Sequence, residues 1–197
     1  MNTKWSVGAV TVAFAWLLAA SPCSAQGVPQ AGPTDFKLQG VKLQFRSPPG
    51  WSGANSSLGG KSPSASKRWM QIEMDFTTEL DWTDEVTLKY YALVGQGKDV
   101  KLLTGEMTHV NVPRGKNHYS AMFIHPNTLD RYGRGKVEAV AVQLFYQSRL
   151  VGQTSEPPAK ERWWERYTPV QGQLLPPQMT PWSIVAHERY EQIKSGS

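Results

Sequence analysis

Beyond about position 35 the chain alternates apolar and polar residues with a period of two. In 69–76 (Trp-Met-Gln-Ile-Glu-Met-Asp-Phe), Met70, Ile72, Met74 and Phe76 fall on one face, and Gln71, Glu73 and Asp75 on the other. Successive side chains of a strand point to opposite faces, so this pattern predicts a half-buried strand. Residues 86–92 repeat it, with Val86, Leu88, Tyr90 and Ala92 inward. Further strands are expected at 36–46, 100–110, 117–125, 137–146 and 150–154, seven in all. Pro48-Pro49-Gly50, Gly95-Gln96-Gly97, Pro113-Arg114-Gly115 and Gly133-Arg134-Gly135 supply turn chemistry between them, and Gln147-Ser148 suits a tight hairpin turn. Short strands without intervening helices predict an all-β domain over 35–156, a seven-stranded antiparallel immunoglobulin-like β-sandwich. Ile72, Met74, Leu88, Tyr90, Val142 and Leu144 would share its core.

Two segments depart from this period. Residues 52–66 are rich in Gly, Ser, Ala and Asn and read as a long loop. Beyond Glu156, 158–166 suits a short helix and 168–177 an extended, proline-containing arm. Thr180-Pro181 then offers an N-cap and first-turn proline for a helix over 182–194. The stretch 157–197 is therefore expected to be a short helical and extended tail packed on the sandwich.

The N-terminus is of another kind. Lys4 carries one positive charge, 5–20 is uncharged and apolar, and Cys23-Ser24-Ala25 provides small residues for cleavage. This predicts a signal peptide over 1–25 and a disordered tether over 26–34. The apolar run is short for a membrane span and no second one follows, so no integral span is expected in the mature chain. Cys23 is the single cysteine, and it leaves with the leader. An exported domain without disulfides fits a bacterial envelope: periplasm, cell surface or secreted medium. Lipidation of Cys23 is the alternative, disfavoured by Pro22.

Net charge is +5, and its distribution is uneven. Residues 26–100 hold eight basic and eight acidic side chains, so the surplus follows, at Arg114, Lys116, Arg131, Arg134 and Lys136 against Asp130. It suits an anionic partner or simply a solvated surface. The strand 117–125 separates the two basic groups, and nine residues rising about 3.3 Å each put them about 30 Å apart. That spacing makes two patches at opposite poles, not a nucleic-acid groove.

These strands resemble those of small exported, pilus-like proteins encoded beside type IV pilus genes in verrucomicrobial bacteria. The resemblance rests on 69–76, on 86–94, on Val140-Ala141-Val142-Gln143-Leu144-Phe145-Tyr146, and on the tail. The tail residues are Thr180-Pro181-Trp182 through Arg189-Tyr190-Glu191-Gln192-Ile193-Lys194. It implies an immunoglobulin-like fold and an envelope protein associated with a pilus or adhesion system. It implies no catalytic residue.

The residues themselves offer little chemistry. There is no H-E-x-x-H, no G-x-S-x-G and no Cys/His cluster. His118 and His125, seven apart on one strand, point to opposite faces and cannot share a metal. No catalytic residue, metal site or cofactor is assigned. The acidic group Glu79, Asp81, Asp84 and Glu85 is the one candidate for a cation such as calcium, against the reading of a solvated turn. Trp163-Trp164, between Glu161-Arg162 and Glu165-Arg166, is the most unusual dipeptide. Neighbours on a helix diverge by about 100°, so one ring is expected to anchor while the other, with Tyr167, faces a partner, against the reading that both rings simply cap the sandwich. The expected function is a non-enzymatic interaction or assembly module, with envelope or pilus proteins as partners. A carbohydrate-binding module using Trp51, Trp163 or Trp164 on glycans is the alternative, followed by a secreted hydrolase with dispersed catalytic residues.

Overall fold

The two alternating segments around the acidic group are one strand. The computed structural model describes residues 35–49, 68–184 and 192–194. The expected signal peptide, the tether, Trp51 and the loop 52–66 lie outside these. β3 (Trp69–Val94) runs for 26 residues and β4 (Lys101–Ile124) returns antiparallel along it for 24. Gly95 and Gly97 turn the hairpin at φ of 120° and 59°, a conformation that glycine adopts without steric cost.

Six shorter strands flank this hairpin. β1 (Phe36–Leu38) and β2 (Lys42–Arg46) pair with the first part of β3, and β5 (Val137–Tyr146) pairs with its second half. β6 (Arg149–Glu156) pairs with β5, β7 (Pro169–Gln171) runs parallel to the start of β4, and β8 (Leu174–Leu175) pairs with its end. Together they form one mixed eight-stranded sheet with the central order β6-β5-β3-β4-β7. Gln147 and Ser148 both take positive φ, 48° and 63°, in the tight β5–β6 turn.

The long hairpin is folded back on itself. A Cβ added at Gly105 would lie 2.6 Å from Met122 Cε, yet the two positions are seventeen residues apart on β4 and would be about 55 Å apart on a straight strand. The Tyr90 hydroxyl likewise donates to Ser120 Oγ at 2.7 Å, and Ser120 donates to Met107 Sδ at 3.4 Å. The bend falls where the β3–β4 register shifts, between Phe76 and Thr78 and again between Thr78 and Trp82. There Thr78 and Thr83, five residues apart, bring their Oγ1 atoms to 3.5 Å. On β4, Asn111, Gly115 and Asn117 supply the positive φ that lets the strand turn.

Folding the hairpin puts one core between its halves. Ile72, Met74 and Phe76 come from before the bend, Val86, Leu88 and Tyr90 from after it, and Val140, Val142 and Leu144 from β5. All six residues expected to share a core are within it. The fold is therefore mostly β, as expected, but its strands belong to one mixed sheet rather than to two. The strand count and connections differ from a seven-stranded immunoglobulin-like sandwich, because the layers are halves of one folded sheet. Pro113-Arg114-Gly115 marks a bend rather than a reversal, and 69–76 with 86–92 is one strand rather than two.

The close approach at Gly105 is testable. Gly105→Ala would meet Leu174 Cβ at 2.8 Å and the Leu174 carbonyl oxygen at 3.1 Å, a backbone atom that cannot simply swing aside. It is expected to lower stability by about 1–3 kcal/mol in urea denaturation. Gly40→Ala meets nothing within 4 Å and is expected to stay within about 0.5 kcal/mol of the parent.

The tail also departs from its expected form. The predicted helix over 158–166 shortens to one 3-10 turn, Trp163–Arg166, because Ser155 Oγ bonds Pro157 O and Ala159 N and holds the preceding residues in a turn. β7 and β8 belong to the extended arm, which thus joins the sheet. The helix predicted over 182–194 does not reach its expected end. Ile193 bridges His109, with Val110 N to Gln192 O and Lys194 N to Thr108 O both at 2.8 Å, so 192–194 lies along β4. Residues 185–191 lie outside the described residues.

Candidate functional site

The outward faces of the folded sheet each receive a tryptophan from the tail. On the half before the bend, Trp182 stacks on Phe123 at 5.0 Å and 14°, and meets the edge of Trp69. On the half after it, Trp164 stacks on Tyr91 at 5.5 Å and 23°, above Leu102 and Ala141. Alternation explains the second platform: Tyr91, Leu102 and Ala141 occupy outward positions of β3, β4 and β5, beside inward Tyr90, Leu103 and Val142.

Trp164 is 5% exposed, whereas Trp163 and Tyr167 are half-buried. Trp163 leans edge-on against Trp164 at 5.4 Å and 85°. The strap carrying them is fixed at both ends. Arg162 Nε donates to Gln153 Oε1 on β6 at 3.1 Å, and β7 pairs with Leu102–Thr104 immediately afterwards. Gln153 also accepts from Gln143 at 3.5 Å, whose own Oε1 accepts the Tyr91 hydroxyl at 3.0 Å. Burial and the nearby Glu165 and Glu106 carboxylates push the Tyr91 phenol above its ordinary range.

Next to this strap the outer face is hollowed. One concavity of about 490 Å³ is lined by Asp84, Glu85, Lys89, Glu106, Phe145 and Tyr146, among others. A second of about 440 Å³ shares Lys89 and Glu106 and is floored by Tyr91, with Thr104 and Gln171 beside it. The Lys89–Glu106 ion pair at 3.7 Å stands where the two meet, and Lys89 also lies 5.2 Å from the Phe145 ring centroid. The face therefore mixes charged and aromatic side chains, a form suited to a macromolecular surface or a chain of hydroxyls.

The acidic candidates are divided rather than gathered. Glu79 and Asp81 both reach Arg114, at 3.6 and 3.2 Å, Glu85 pairs with Lys194 at 2.9 Å, and Asp84 lines the first concavity. Among the described residues no three His, Cys, Asp or Glu side chains are grouped to hold a metal ion. The strand that runs through them explains why: a turn would have converged their oxygens, and an extended backbone spreads them.

The histidines separate as their spacing predicts. His125 sits against Trp69 on an outer face and accepts from Asn127 N at 3.0 Å, whereas His118 lies 5.2 Å from Phe76, on the inner side. His109 flanks the same Phe76 ring at 5.5 Å. Burial first, and the charge of His118 second, push the His109 imidazole down to about 4, and burial lowers His118 too.

Two surface features were not singled out by the sequence reading. Trp82, 67% exposed, stands at the bend opposite Pro113. Its place at an outward position between Asp81 and Thr83 was the available signal. The other is the meeting of Arg131 and Arg134 with Lys101 at the far end of the hairpin, which no linear spacing reveals.

A protein-family model matches residues 28–197. The chain belongs to that family. A crystal structure of a protein from Akkermansia muciniphila, a verrucomicrobe, superposes with a TM-score of 0.68 at 26% identity, covering 82% of this chain and 94% of that one. The shared fold thus extends across nearly the whole of that chain. No curated protein matches the chain. Among the described residues no helix is long and apolar enough to cross a membrane.

Proposed function

We propose that the protein is a non-enzymatic, exported bacterial envelope module that acts by protein–protein contact in a pilus or adhesion system. The leader over 1–25 supports export, and the similarity to an Akkermansia muciniphila protein supports a verrucomicrobial relationship. The observation that carries the reading is the outer face after the bend. There the strap, fixed by Arg162 to β6 and by β7 to β4, leaves Trp163 half-buried and edge-on against the buried Trp164. A half-covered tryptophan on a fixed support is the usual anchor of a protein interface. Affinity capture from envelope extracts tests this: the parent is expected to retain a defined partner, and Trp163→Ala to lose it.

A glycan is the second reading. The first concavity places Phe145 and Tyr146 beside the carboxylates of Asp84, Glu85 and Glu106, which accept hydrogen bonds from sugar hydroxyls while the rings pack on sugar faces. Trp164, stacked on Tyr91, is not free to serve as a platform, so this reading rests on residues other than the tryptophan pair.

A further inference from the structure

We infer that the protein carries an oxyanion-binding pocket at the tip of the long hairpin, formed by Lys101, Arg131 and Arg134. The ligand is a phosphate or sulfate group, either as the free ion or as an ester on a glycan. The pocket is a cavity of about 250 Å³ lined by Gly95, Gln96, Asp99, Lys101, Arg131, Tyr132 and Arg134. Three cations and one carboxylate therefore surround a space large enough for a tetrahedral anion. Lys98 and Lys136 lie exposed within two residues of the lining and add to the attractive field.

Three further observations separate this cluster from an ordinary solvated surface. None of the ion pairs among the described residues involves Lys101, Arg131 or Arg134. The other basic group is different, since Arg114 is taken up by Glu79 and Asp81. Arg131 is also held in place, its guanidinium 4.9 Å from the Tyr132 ring centroid, which orients a planar fork suited to two oxygens of one anion.

The backbone is the third. Arg131 belongs to a π-helical turn, Leu129–Gly133, which Arg134 caps in left-handed conformation at φ 48°, ψ 37°. π-turns are rare and concentrate at functional sites. A left-handed backbone burdens any residue with a Cβ, and strain of this kind persists where the side chain is used. Glycine stands on both sides of Arg134, so the turn keeps an arginine at the one position where glycine would relax it. Leu129, 2% exposed, fixes the turn to the core, with Gly133 packed against Val94.

The test uses the mature chain with inorganic sulfate, inorganic phosphate and heparin as probes, titrated calorimetrically across a range of salt. Arg134→Gly and the double variant Arg131→Ala/Arg134→Gly remove the ligands, and Arg114→Ala removes a cation at the bend of the hairpin. The double variant is expected to bind at least about tenfold more weakly, with a shallower salt dependence, whereas Arg114→Ala binds as the parent does. Arg134→Gly alone is expected to weaken binding while its melting temperature stays level or rises, a pairing that loss of fold cannot produce. Binding of the inorganic ions places recognition on the oxyanion itself, and binding of heparin alone places it on an ester carried by a chain. The proposal is overturned if no probe binds the parent, if the double variant binds undiminished, or if Arg114→Ala weakens binding equally.

Discussion

Between pH 6.5 and about 4 the protein is expected to lose about 3 kcal/mol more stability than His109→Leu does. His109 is buried against Phe76, and its Nε2 has no hydrogen-bond partner among the described residues. The folded chain therefore holds it neutral, with the imidazole pushed down to about 4. The unfolded chain titrates near the ordinary histidine value of about 6.5. Above that pH the imidazole is neutral in both states and nothing is lost. As pH falls through 6.5, the unfolded state takes up a proton that the folded state refuses, so stability drops until about 4 and then levels. A gap from 6.5 to about 4, at about 1.4 kcal/mol per pH unit, gives the stated loss. His118, lowered by burial, adds in the same direction. Carboxylates elsewhere titrate in both proteins, so the difference between parent and His109→Leu isolates the imidazole. Urea midpoints at pH 7.5 and 4.5 measure it, and an equal fall in both proteins would contradict the assignment. Ile193 bridges His109 and Gln192 hydrogen-bonds His118, so the contact of 192–194 with β4 is the part most exposed to this loss.

Ile72→Ala and Leu144→Ala are each expected to cost about 2–5 kcal/mol. Both side chains are fully buried, Ile72 before the bend on β3 and Leu144 on β5, which meets β3 after the bend. Were the halves independent layers, each variant would melt its own half first. Because a single core joins them, both variants are expected to unfold in one transition. Circular dichroism and tryptophan fluorescence should then give coincident curves, since Trp69 lies in one half and Trp164 over the other. Separate transitions, or losses below about half a kcal/mol for both, would mean the halves do not share a core.

The fold was legible in the sequence wherever one face of a strand alternates cleanly. Met70 through Phe76 and Val86 through Ala92 show this, and every residue assigned to the core from these runs is buried. Connections were less legible, for a definite reason. Pro113-Arg114-Gly115 has the chemistry of a chain reversal, and the same chemistry, with Asn111 and Asn117 beside it, bends a strand whose pairing continues past it. Local sequence reports the break in the ladder but not whether the chain then turns back. The stretch 77–85 misleads similarly, because exposed acidic residues resemble a turn although Thr78 and Thr83 are buried among them.

The candidate site was legible in part. The unequal burial of Trp163 and Trp164 follows from their adjacency, even though the helix expected to carry them is only a 3-10 turn. The platform under Trp164 was not foreseeable, since Tyr91 meets it only after the tail crosses from β6 to β4. Trp182, in the tail expected to pack on the sandwich, performs the same covering task on the other half. The acidic cluster dispersed for the opposite reason: its four members are close in sequence, but an extended backbone spreads them, with Glu79 and Asp81 held by Arg114 and Glu85 by Lys194.

The division of labour between the two adjacent tryptophans tests the central claim most directly, because it separates scaffold from contact surface on one strap. Parent, Trp163→Ala and Trp164→Ala should be compared for stability by urea denaturation and for capture of partner from envelope extracts. Trp164→Ala, which removes a buried ring stacked on Tyr91, is expected to lose about 3 kcal/mol or more. Trp163→Ala is expected to lose markedly less stability and nearly all of the capture. Equal destabilisation with capture unchanged in both would contradict the account, since the pair would then serve only to cover the sheet.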